Sequence, residues 1–332
     1  MNIFVTGATG FVGKNLSIRL AIEGHSVHAL YRDIKKTKGL EHENIKLFQG
    51  DILDKKSLVN GMKDCTMVFH TAAFTSVWAK KPSTIETLNF NGTSNVLETA
   101  IELSINRIVY TSTAGIFGPS GDSITDETKP YPLTFFTRYE ETKAKIEQII
   151  IPQFLKMGLN VIIVNPTRVY GPGPLNNANS VSKIIKKHLE NKIGLVPSDG
   201  KSIGNYTYID DVVDGHILAM KKGKTGERYI LGGDNIAFID LMRLVARESG
   251  QKSRLIRIPV FVMFLTAWIF LITAKITGIK PMIIPGLVKK FLPDWKVSSE
   301  KAKKELGYNP VGIEQGIKKT IDWLRKEMTY EK

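Results

Sequence analysis

Cysteine is nearly absent from this chain: its 332 residues include one, Cys65, which excludes a disulfide within the chain. Ahead of the first apolar strand, which we expect to begin at residue 2, there is no basic region followed by an apolar leader. We therefore expect a protein of the reducing cytoplasm.

Acidic residues are also scarce relative to basic ones, 32 against 46, which gives a formal net charge of +14. The lysines occur in short pairs, mostly on expected helix faces and without interleaved aromatic residues. That distribution is typical of a solvated surface, so we expect no nucleic-acid partner. We expect no metal site either.

Three glycines follow the first strand at intervals of three residues, and a helix is expected to begin there. Gly7 permits a sharp turn, Gly10 leaves room for a pyrophosphate, and Gly13 lets the helix pack against a sheet. The free N–H groups of the first helical turn, at Phe11 and Val12, would point at the phosphates. The stretch predicts a dinucleotide-binding loop; a glycine-rich turn without a ligand is the alternative.

Strands and helices alternate over the next 150 residues or so, with further strands expected at 26–31, 45–49, 67–71, 107–111 and 160–164. This rhythm predicts an α/β fold with a Rossmann-type, doubly wound parallel sheet. Ligands of such a sheet bind beyond the carboxyl ends of the strands.

A loop rich in Gly, Pro and Asn begins at residue 171 and changes the pattern. We expect residues 1–170 to form the nucleotide-binding domain, with 206–235 returning to it. Residues 171–205 and 236–332 would form a smaller substrate-binding lobe. His216, among apolar neighbours on a helix, is interpreted as a core or surface residue and not as a base.

The end of the second strand bears on the choice of cofactor. An acidic residue there accepts a hydrogen bond from the ribose of NAD, whereas an arginine accommodates the 2′-phosphate of NADP. Arg32 favours NADP, and Asp33 keeps NAD open as the alternative. Asp51, after the third strand, could contact the adenine amine or cap a turn.

Hydroxyl groups and a Tyr-x-x-x-Lys pair carry the expected chemistry. The fifth strand ends in Ser112 and Thr113, and Tyr139 and Lys143 follow on one face of a helix. We expect the ammonium of Lys143 to lower the pKa of Tyr139, which then serves as the proton donor. Thr113 would hold the oxygen of the substrate, with Ser112 as the second choice.

The segments TGATGFVG, GDI, HTAA, NFNGT, YTSTAGIFG, YEETK and NPTRVYGPG occur in this order over about 170 residues. In these segments the chain resembles the extended short-chain dehydrogenases/reductases of the epimerase/dehydratase superfamily. It is most similar to bacterial dihydroflavonol-4-reductase-like and 3β-hydroxysteroid dehydrogenase-like proteins.

The resemblance implies hydride transfer between NAD(P)H and a carbonyl or secondary alcohol, with Thr113, Tyr139 and Lys143 as the catalytic residues. The cofactor-binding residues expected from the loop and from the resemblance are Gly7, Gly10, Phe11, Val12, Gly13, Arg32, Asp51, Ile52, Ala72, Ala73, Asn89, Tyr139, Lys143 and Pro166.

The substrate is a small molecule whose identity depends on the lobe. Epimerases of the superfamily typically place an arginine where this chain has Gly204, although Lys201 could substitute for it. The missing arginine argues against a nucleotide sugar. The pocket is expected to be ringed by apolar and aromatic residues, namely Phe74, Val77, Trp78, Phe117, Phe135, Phe136 and Tyr170. Several of them could instead fill the core between the domain and the lobe, and we expect this of about half of them.

Three functions follow as hypotheses. The first is an NADPH-dependent reductase of an apolar ketone or aldehyde, or the reverse reaction on a steroid- or flavonol-like secondary alcohol. The second is a nucleotide-sugar epimerase or dehydratase with tightly bound NAD. The third is a cofactor-sensing protein without activity, against which the complete Thr113, Tyr139 and Lys143 set argues.

An apolar segment at 258–274 allows three alternatives. It is a buried helix of the substrate lobe, a helix lying on a membrane, or a homodimer or spanning element. Lysines downstream would suit anionic lipid, so membrane association is an alternative to a purely cytoplasmic protein. The last region, 296–326, predicts two amphipathic helices.

Overall fold

The computed structural model describes residues 1–76, 78–81, 83–191, 193–251 and 254–330. The strands of this part of the chain are β1 Asn2–Thr6, β2 Ser26–Tyr31, β3 Ile45–Gln49, β4 Met67–His70, β5 Arg107–Thr111, β6 Val161–Pro166, β7 Arg168–Tyr170, β8 Ile193–Pro197, β9 Ile203–Tyr208, β10 Arg228–Leu231, β11 Asp234–Ala237 and β12 Arg254–Ile258.

The α-helices are α1 Phe11–Ile22, α2 Lys55–Met62, α3 Ser83–Glu86, α4 Gly92–Glu102, α5 Arg138–Lys145, α6 Ile151–Lys156, α7 Ser180–Asn191, α8 Ile209–Lys222, α9 Phe238–Ser249, α10 Val260–Thr277, α11 Pro285–Phe291, α12 Glu300–Leu306 and α13 Ile313–Tyr330. Two π-helical segments, Thr87–Asn91 and Ile146–Ile150, link α3 to α4 and α5 to α6. Helices α12 and α13 confirm the two predicted C-terminal helices.

Seven strands form a central parallel sheet in the order β3-β2-β1-β4-β5-β6-β10. The chain adds β2 and β3 on one side of β1, and β4 and the later strands on the other. The order therefore reverses between β1 and β4, and a crevice opens beyond their carboxyl ends. The predicted doubly wound parallel sheet is confirmed.

Apolar side chains cover both faces of this sheet, because successive residues of a strand point to opposite sides. Ile162 and Val164 pack in one layer with α1 and α8, and Val161 and Ile163 in the other with α2, α4 and α6. His216 lies fully buried in the first layer, which confirms it as a core histidine.

Two smaller sheets lie outside the central one. Strands β7, β9 and β11 form the first, in the order β11-β9-β7, and β8 pairs with β12 in the second. Strands β7 and β9 are parallel, with Arg168 opposite Tyr206. Between these sheets the chain returns to the central one through α8 and β10, both within 206–235.

The apolar segment forms α10, and it is largely exposed. Only Met263, Ala267 and Ala274 of this helix are buried. The exposed fraction is 72% for Phe261 and 52% for Trp268. The alternative of a buried helix is therefore excluded. By length and composition α10 suffices to cross a membrane, a test that core helices of soluble proteins also pass.

Candidate active site

A cleft of about 440 Å³ opens at the predicted crevice. It is lined by most of the residues that the sequence indicated: Gly7, Gly10, Phe11, Val12, Gly13, Arg32, Ile52, Ala72, Ala73, Phe74, Ser112, Thr113, Tyr139, Lys143 and Pro166. The strand ends thus bring the glycine loop and the hydroxyl-bearing residues into one site.

The glycine loop fits the phosphates of a dinucleotide. Gly7 has φ +70°, and a Cβ there would lie 2.7 Å from the backbone nitrogen of Ala72. A Cβ on Gly13 would lie 2.3 Å from the carbonyl oxygen of Gly7. No side chain caps α1 after Gly10, so the first N–H groups of this helix remain available to an anion. These residues would hold the pyrophosphate of NAD(P).

The side chains after β2 divide into one that faces the cleft and one that does not. Arg32 lines the cleft, and its Nη1 lies 3.4 Å from Oδ2 of Asp51. Asp33 instead caps the short 3₁₀ helix that follows, because its carboxylate accepts from the N–H of Lys35 at 3.0 Å. Asp51 sits beside the cleft, where it also accepts from the N–H of Leu53 at 2.9 Å.

Helix α5 places Tyr139 and Lys143 in the cleft. It begins with a capping box, in which Oε2 of Glu140 accepts from the backbone N–H of Thr137 at 3.1 Å and from its hydroxyl at 2.5 Å. Lys143 is buried; its Nζ donates to the carbonyl oxygen of Thr111 at 2.7 Å. Both side chains are therefore held by packing at the end of β5.

The pKa values of Tyr139 and Lys143 differ from the expectation. Burial raises the pKa of Tyr139 above its ordinary value, and the carboxylate of Glu140 adds to the shift. Burial also lowers the pKa of Lys143 to about 7, against the opposing field of Glu147. The expected lowering of the Tyr139 pKa is not seen, because removal from water and the carboxylate of Glu140 both raise it.

Thr113 suits the expected role better than Ser112. Thr113 is half-buried, and its Oγ1 accepts from the N–H of Gly115 at 3.1 Å. The hydroxyl proton of Thr113 remains available to a substrate oxygen. Ser112 is buried beside the carboxylate of Glu147.

Asn89 does not line the described cleft, but it holds a loop that does. It is buried, and its Oδ1 accepts from the N–H of Phe74 at 2.7 Å. Its Nδ2 donates to the carbonyl oxygen of the same residue at 3.4 Å. Asn89 therefore fixes the loop after β4, of which Ala72, Ala73 and Phe74 line the cleft.

Few of the aromatic residues predicted to ring the substrate pocket lie at the cleft. Phe117 and Tyr170 are buried in core clusters, since the turn after β5 packs on Ala144 and Ile230, and β7 packs against the α8 layer. Trp78 and the pair at 135–136 do not line the cleft as the structure describes it. Phe74 does line it, and Val77 lies outside the described residues.

Two cations that the sequence did not indicate, Arg168 and Lys290, lie at the substrate end of the cleft. Both line the main cleft and a recess of about 60 Å³ that Thr113 shares. The guanidinium of Arg168 lies over Gly204, where a Cβ would be 1.8 Å from Nη1. The guanidinium of Arg168, from β7, thus occupies the place next to position 204 where epimerases typically have an arginine of their own. Only the pairing of β7 with β9 brings the two residues together.

Glu147 was also missed, although the spacing pointed to it. It follows Tyr139 and Lys143 at intervals of four residues, so it lies on the same face of its helix. Its buried carboxylate accepts from Nδ2 of Asn165 at 2.9 Å and from the hydroxyl of Tyr131 at 3.0 Å. Burial raises the pKa of Glu147.

Residues 3–232 match the model of the NAD dependent epimerase/dehydratase family. The chain belongs to this family. A Synechocystis protein named as a dihydroflavonol 4-reductase is 30% identical over 328 residues, which cover 97% of this chain and 94% of the relative. An Arabidopsis thaliana 3beta-hydroxysteroid-dehydrogenase/decarboxylase is 27% identical, over 96% of this chain and 78% of the relative.

The fold is also similar to that of solved structures. The UDP-glucose 4-epimerase of Thermotoga maritima, solved with UDP-glucose, superposes with a TM-score of 0.82 at 25% identity, over 99% of this chain and 100% of that one. The resemblance inferred from the motifs is confirmed, and the chain is an NAD(P)-dependent enzyme of this family. The hypothesis of a cofactor sensor without activity loses its support.

Lys143→Met is expected to change how stability depends on pH. The folded-state pKa of about 7 lies below the reference value of an exposed lysine, ~10.4. Between these values the unfolded chain binds a proton that the folded chain does not, so wild-type stability falls as pH decreases. The Tm of the variant relative to wild type should therefore rise by several degrees as the pH of thermal unfolding is lowered from about 10 to about 7.

The surface variant Lys36→Met is the control and should leave this pH profile unchanged. A Tm difference between Lys143→Met and wild type that stays constant with pH would contradict the assignment of a largely uncharged lysine.

Proposed function

We propose that the protein is an oxidoreductase that transfers hydride between NADPH and the carbonyl of a ketone or aldehyde, or in reverse from a secondary alcohol. One observation carries the proposal: Thr113, Tyr139 and Lys143 line the same cleft as a glycine loop suited to a dinucleotide. The names of the cyanobacterial and plant relatives, a reductase and a dehydrogenase, support the same reaction class.

Each residue of the set has a separate task. Bound NAD(P)H supplies the hydride, or NAD(P)⁺ accepts it. Tyr139, whose raised pKa keeps its phenol protonated, donates the proton from Oη to the substrate oxygen during reduction. Thr113 orients that oxygen with its free hydroxyl proton. Lys143 ties α5 to the end of β5 through Thr111 and has further N–H donors for the ribose of the cofactor.

NADPH is the proposed cofactor because Arg32, and not Asp33, faces the cleft. The side chain of Arg32 is 68% exposed, so it can pair with a 2′-phosphate. The carboxylate of Asp33 is engaged in capping the 3₁₀ helix, and Asp33 does not line the described cleft.

A nucleotide-sugar epimerase or dehydratase with tightly bound NAD is the second candidate. The guanidinium of Arg168 over Gly204 favours it, since it restores a cation that could pair with a substrate diphosphate. In that reaction Tyr139 would remove and return the same proton without net turnover of the cofactor.

Tyr139→Phe is expected to lower kcat by about 10²- to 10⁴-fold, because it removes the proton donor. The assay is NADPH oxidation with a graded panel of ketones and aldehydes. NADPH affinity, followed by its fluorescence, should change little and reports that the variant is folded. Unchanged turnover would refute the role of Tyr139. A wild type that oxidises NADPH with no member of the panel, yet converts a UDP-sugar, would establish the second candidate.

Arg32→Ala is expected to raise the KM for NADPH by about 10-fold, as loss of one exposed charge-assisted contact to the 2′-phosphate requires. The KM for NADH should remain nearly constant. Lys36→Ala, a neighbouring surface change, serves as the control. Equal effects of Arg32→Ala on both cofactors would overturn the NADPH preference.

A further inference from the structure

The substrate end of the cleft holds two cations with different surroundings. Lys290, on α11, forms an ion pair with the buried carboxylate of Glu140. Arg168 is half-buried, and its Nη1 donates to the hydroxyl of Tyr206 at 3.1 Å. In the part of the chain that the structure describes, no carboxylate forms an ion pair with Arg168. The charge of Lys290 is thus balanced within the protein, and that of Arg168 is not.

Two residues, Tyr206 and Gly204, determine the position of the Arg168 guanidinium. Its guanidinium packs on the ring of Tyr206, 5.4 Å from the centroid. It lies where any side chain at position 204 would lie, so Gly204 is required for it. A half-buried guanidinium that is ordered by an aromatic ring, with no carboxylate partner among the described residues, has N–H donors left to bind the anion of a ligand.

We propose that Arg168 and Gly204 form an anion subsite, and that the substrate carries a carboxylate or phosphate close to its reacting carbon. Thr113 and Arg168 line the same small recess, which places the anion beside the oxygen that Thr113 holds. The inference rests on the proposed function, which it extends by naming the substrate class. A carboxylic acid of a hydroxy or keto compound and a nucleotide diphosphate share this chemistry.

The test measures binding, so that its failure is distinct from a failure of the hydride-transfer proposal. Protein saturated with NADP⁺ is titrated calorimetrically with three probes: 3-hydroxyoctanoate, its methyl ester, and UDP. The acid and the ester share the same carbon chain, and the ester replaces the charged carboxylate by a neutral methyl ester. We expect one of the two anions to bind more tightly than the ester. The anion that binds more tightly shows whether the substrate is a carboxylic acid or a nucleotide diphosphate.

Arg168→Met should weaken the binding of that anion by about 10- to 100-fold, because it removes a charge-assisted hydrogen bond. The affinity for the ester should not change. Gly204→Ala should weaken it as well, because the added methyl displaces the guanidinium. Arg243→Met, an exposed arginine paired with Asp240, is the control. Unchanged NADP⁺ affinity reports that each variant is folded. A wild type that binds neither anion, or an Arg168→Met variant that binds both as before, overturns the proposal.

A second and independent observation concerns α10. Two of its buried residues, Met263 and Ala267, pack with Val288 of α11. Large apolar side chains are exposed around the rest of the helix: Phe261, Leu265, Trp268, Ile269, Ile272 and Ile276. A single protein partner covers one face of a helix, whereas lipid can surround most of its circumference. The apolar surface continues into the following segment with exposed Ile279 and Met282.

The charge around α10 complements an anionic surface. From residue 249 to residue 293 the sequence has no Asp or Glu, and its basic residues are Lys252, Arg254, Arg257, Lys275, Lys280, Lys289 and Lys290. Basic residues beside an exposed apolar helix favour attachment to anionic lipid.

The attachments of α10 determine how it would lie. Before it, β12 pairs with β8, and after it, α11 contributes Leu287 and Lys290 to the cleft. Both ends are thus held on the folded protein, so a helix of about 27 Å cannot cross a bilayer and return. We infer that α10 lies in the interface of an anionic membrane, with the substrate end of the cleft beside it.

Sedimentation with phosphatidylglycerol vesicles tests this inference. The wild type should sediment with them, less so as salt is raised, and poorly with phosphatidylcholine vesicles. Trp268→Glu should reduce the affinity by about 10- to 100-fold, because it removes one fully inserted apolar side chain and adds a charge. Leu133→Glu is the matched control, since Leu133 is 103% exposed and lies outside α10.

Two outcomes would overturn the membrane inference. One is a wild type that stays in the supernatant with both vesicle types. The other is a wild-type dimer that Trp268→Glu converts to a monomer while neither protein binds vesicles, since α10 would then be a subunit interface.

Discussion

The close approach of two backbone turns is the constraint on which the site depends. The turn after β1 passes so near the end of β4 that position 7 admits no Cβ, and α1 begins so near that turn that position 13 admits none. The N-terminus of α1 therefore opens directly into the crevice where the strand order reverses. Phosphate binding follows from backbone geometry, and no charged side chain is needed for it.

The reacting end depends on burial. Lys143 is held in a site that disfavours its charge, and Glu147, Asn165 and Tyr131 form a hydrogen-bonded layer beneath it. Such a site is unfavourable for stability and suited to proton transfer, because protonation then responds to the groups brought into the cleft. Tyr139 is kept protonated by the same exclusion of water.

The substrate end combines features that the composition of the chain does not reveal. The guanidinium of Arg168 lines the recess, and α11, which follows the exposed apolar helix α10, contributes Leu287 and Lys290 to the cleft. Together they suit an amphiphilic substrate, with an anionic group bound by Arg168 and an apolar part that approaches from lipid. Of the aromatic side chains that the sequence suggested for this role, Phe117 and Tyr170 belong to the core instead.

Local pattern by itself determined the sheet, the glycine loop and the Tyr139–Lys143 pair, because each depends on residues close together in the chain and on strict periodicities. Glu147, four residues after Lys143, could have been identified from the same spacing. Only the tertiary structure decided the side chains of the substrate end, because Arg168 meets Gly204 through the pairing of two strands 35 residues apart. It likewise decided that Phe117 and Tyr170 are buried and that α10 is exposed, since hydrophobicity alone does not say which apolar surfaces find a partner.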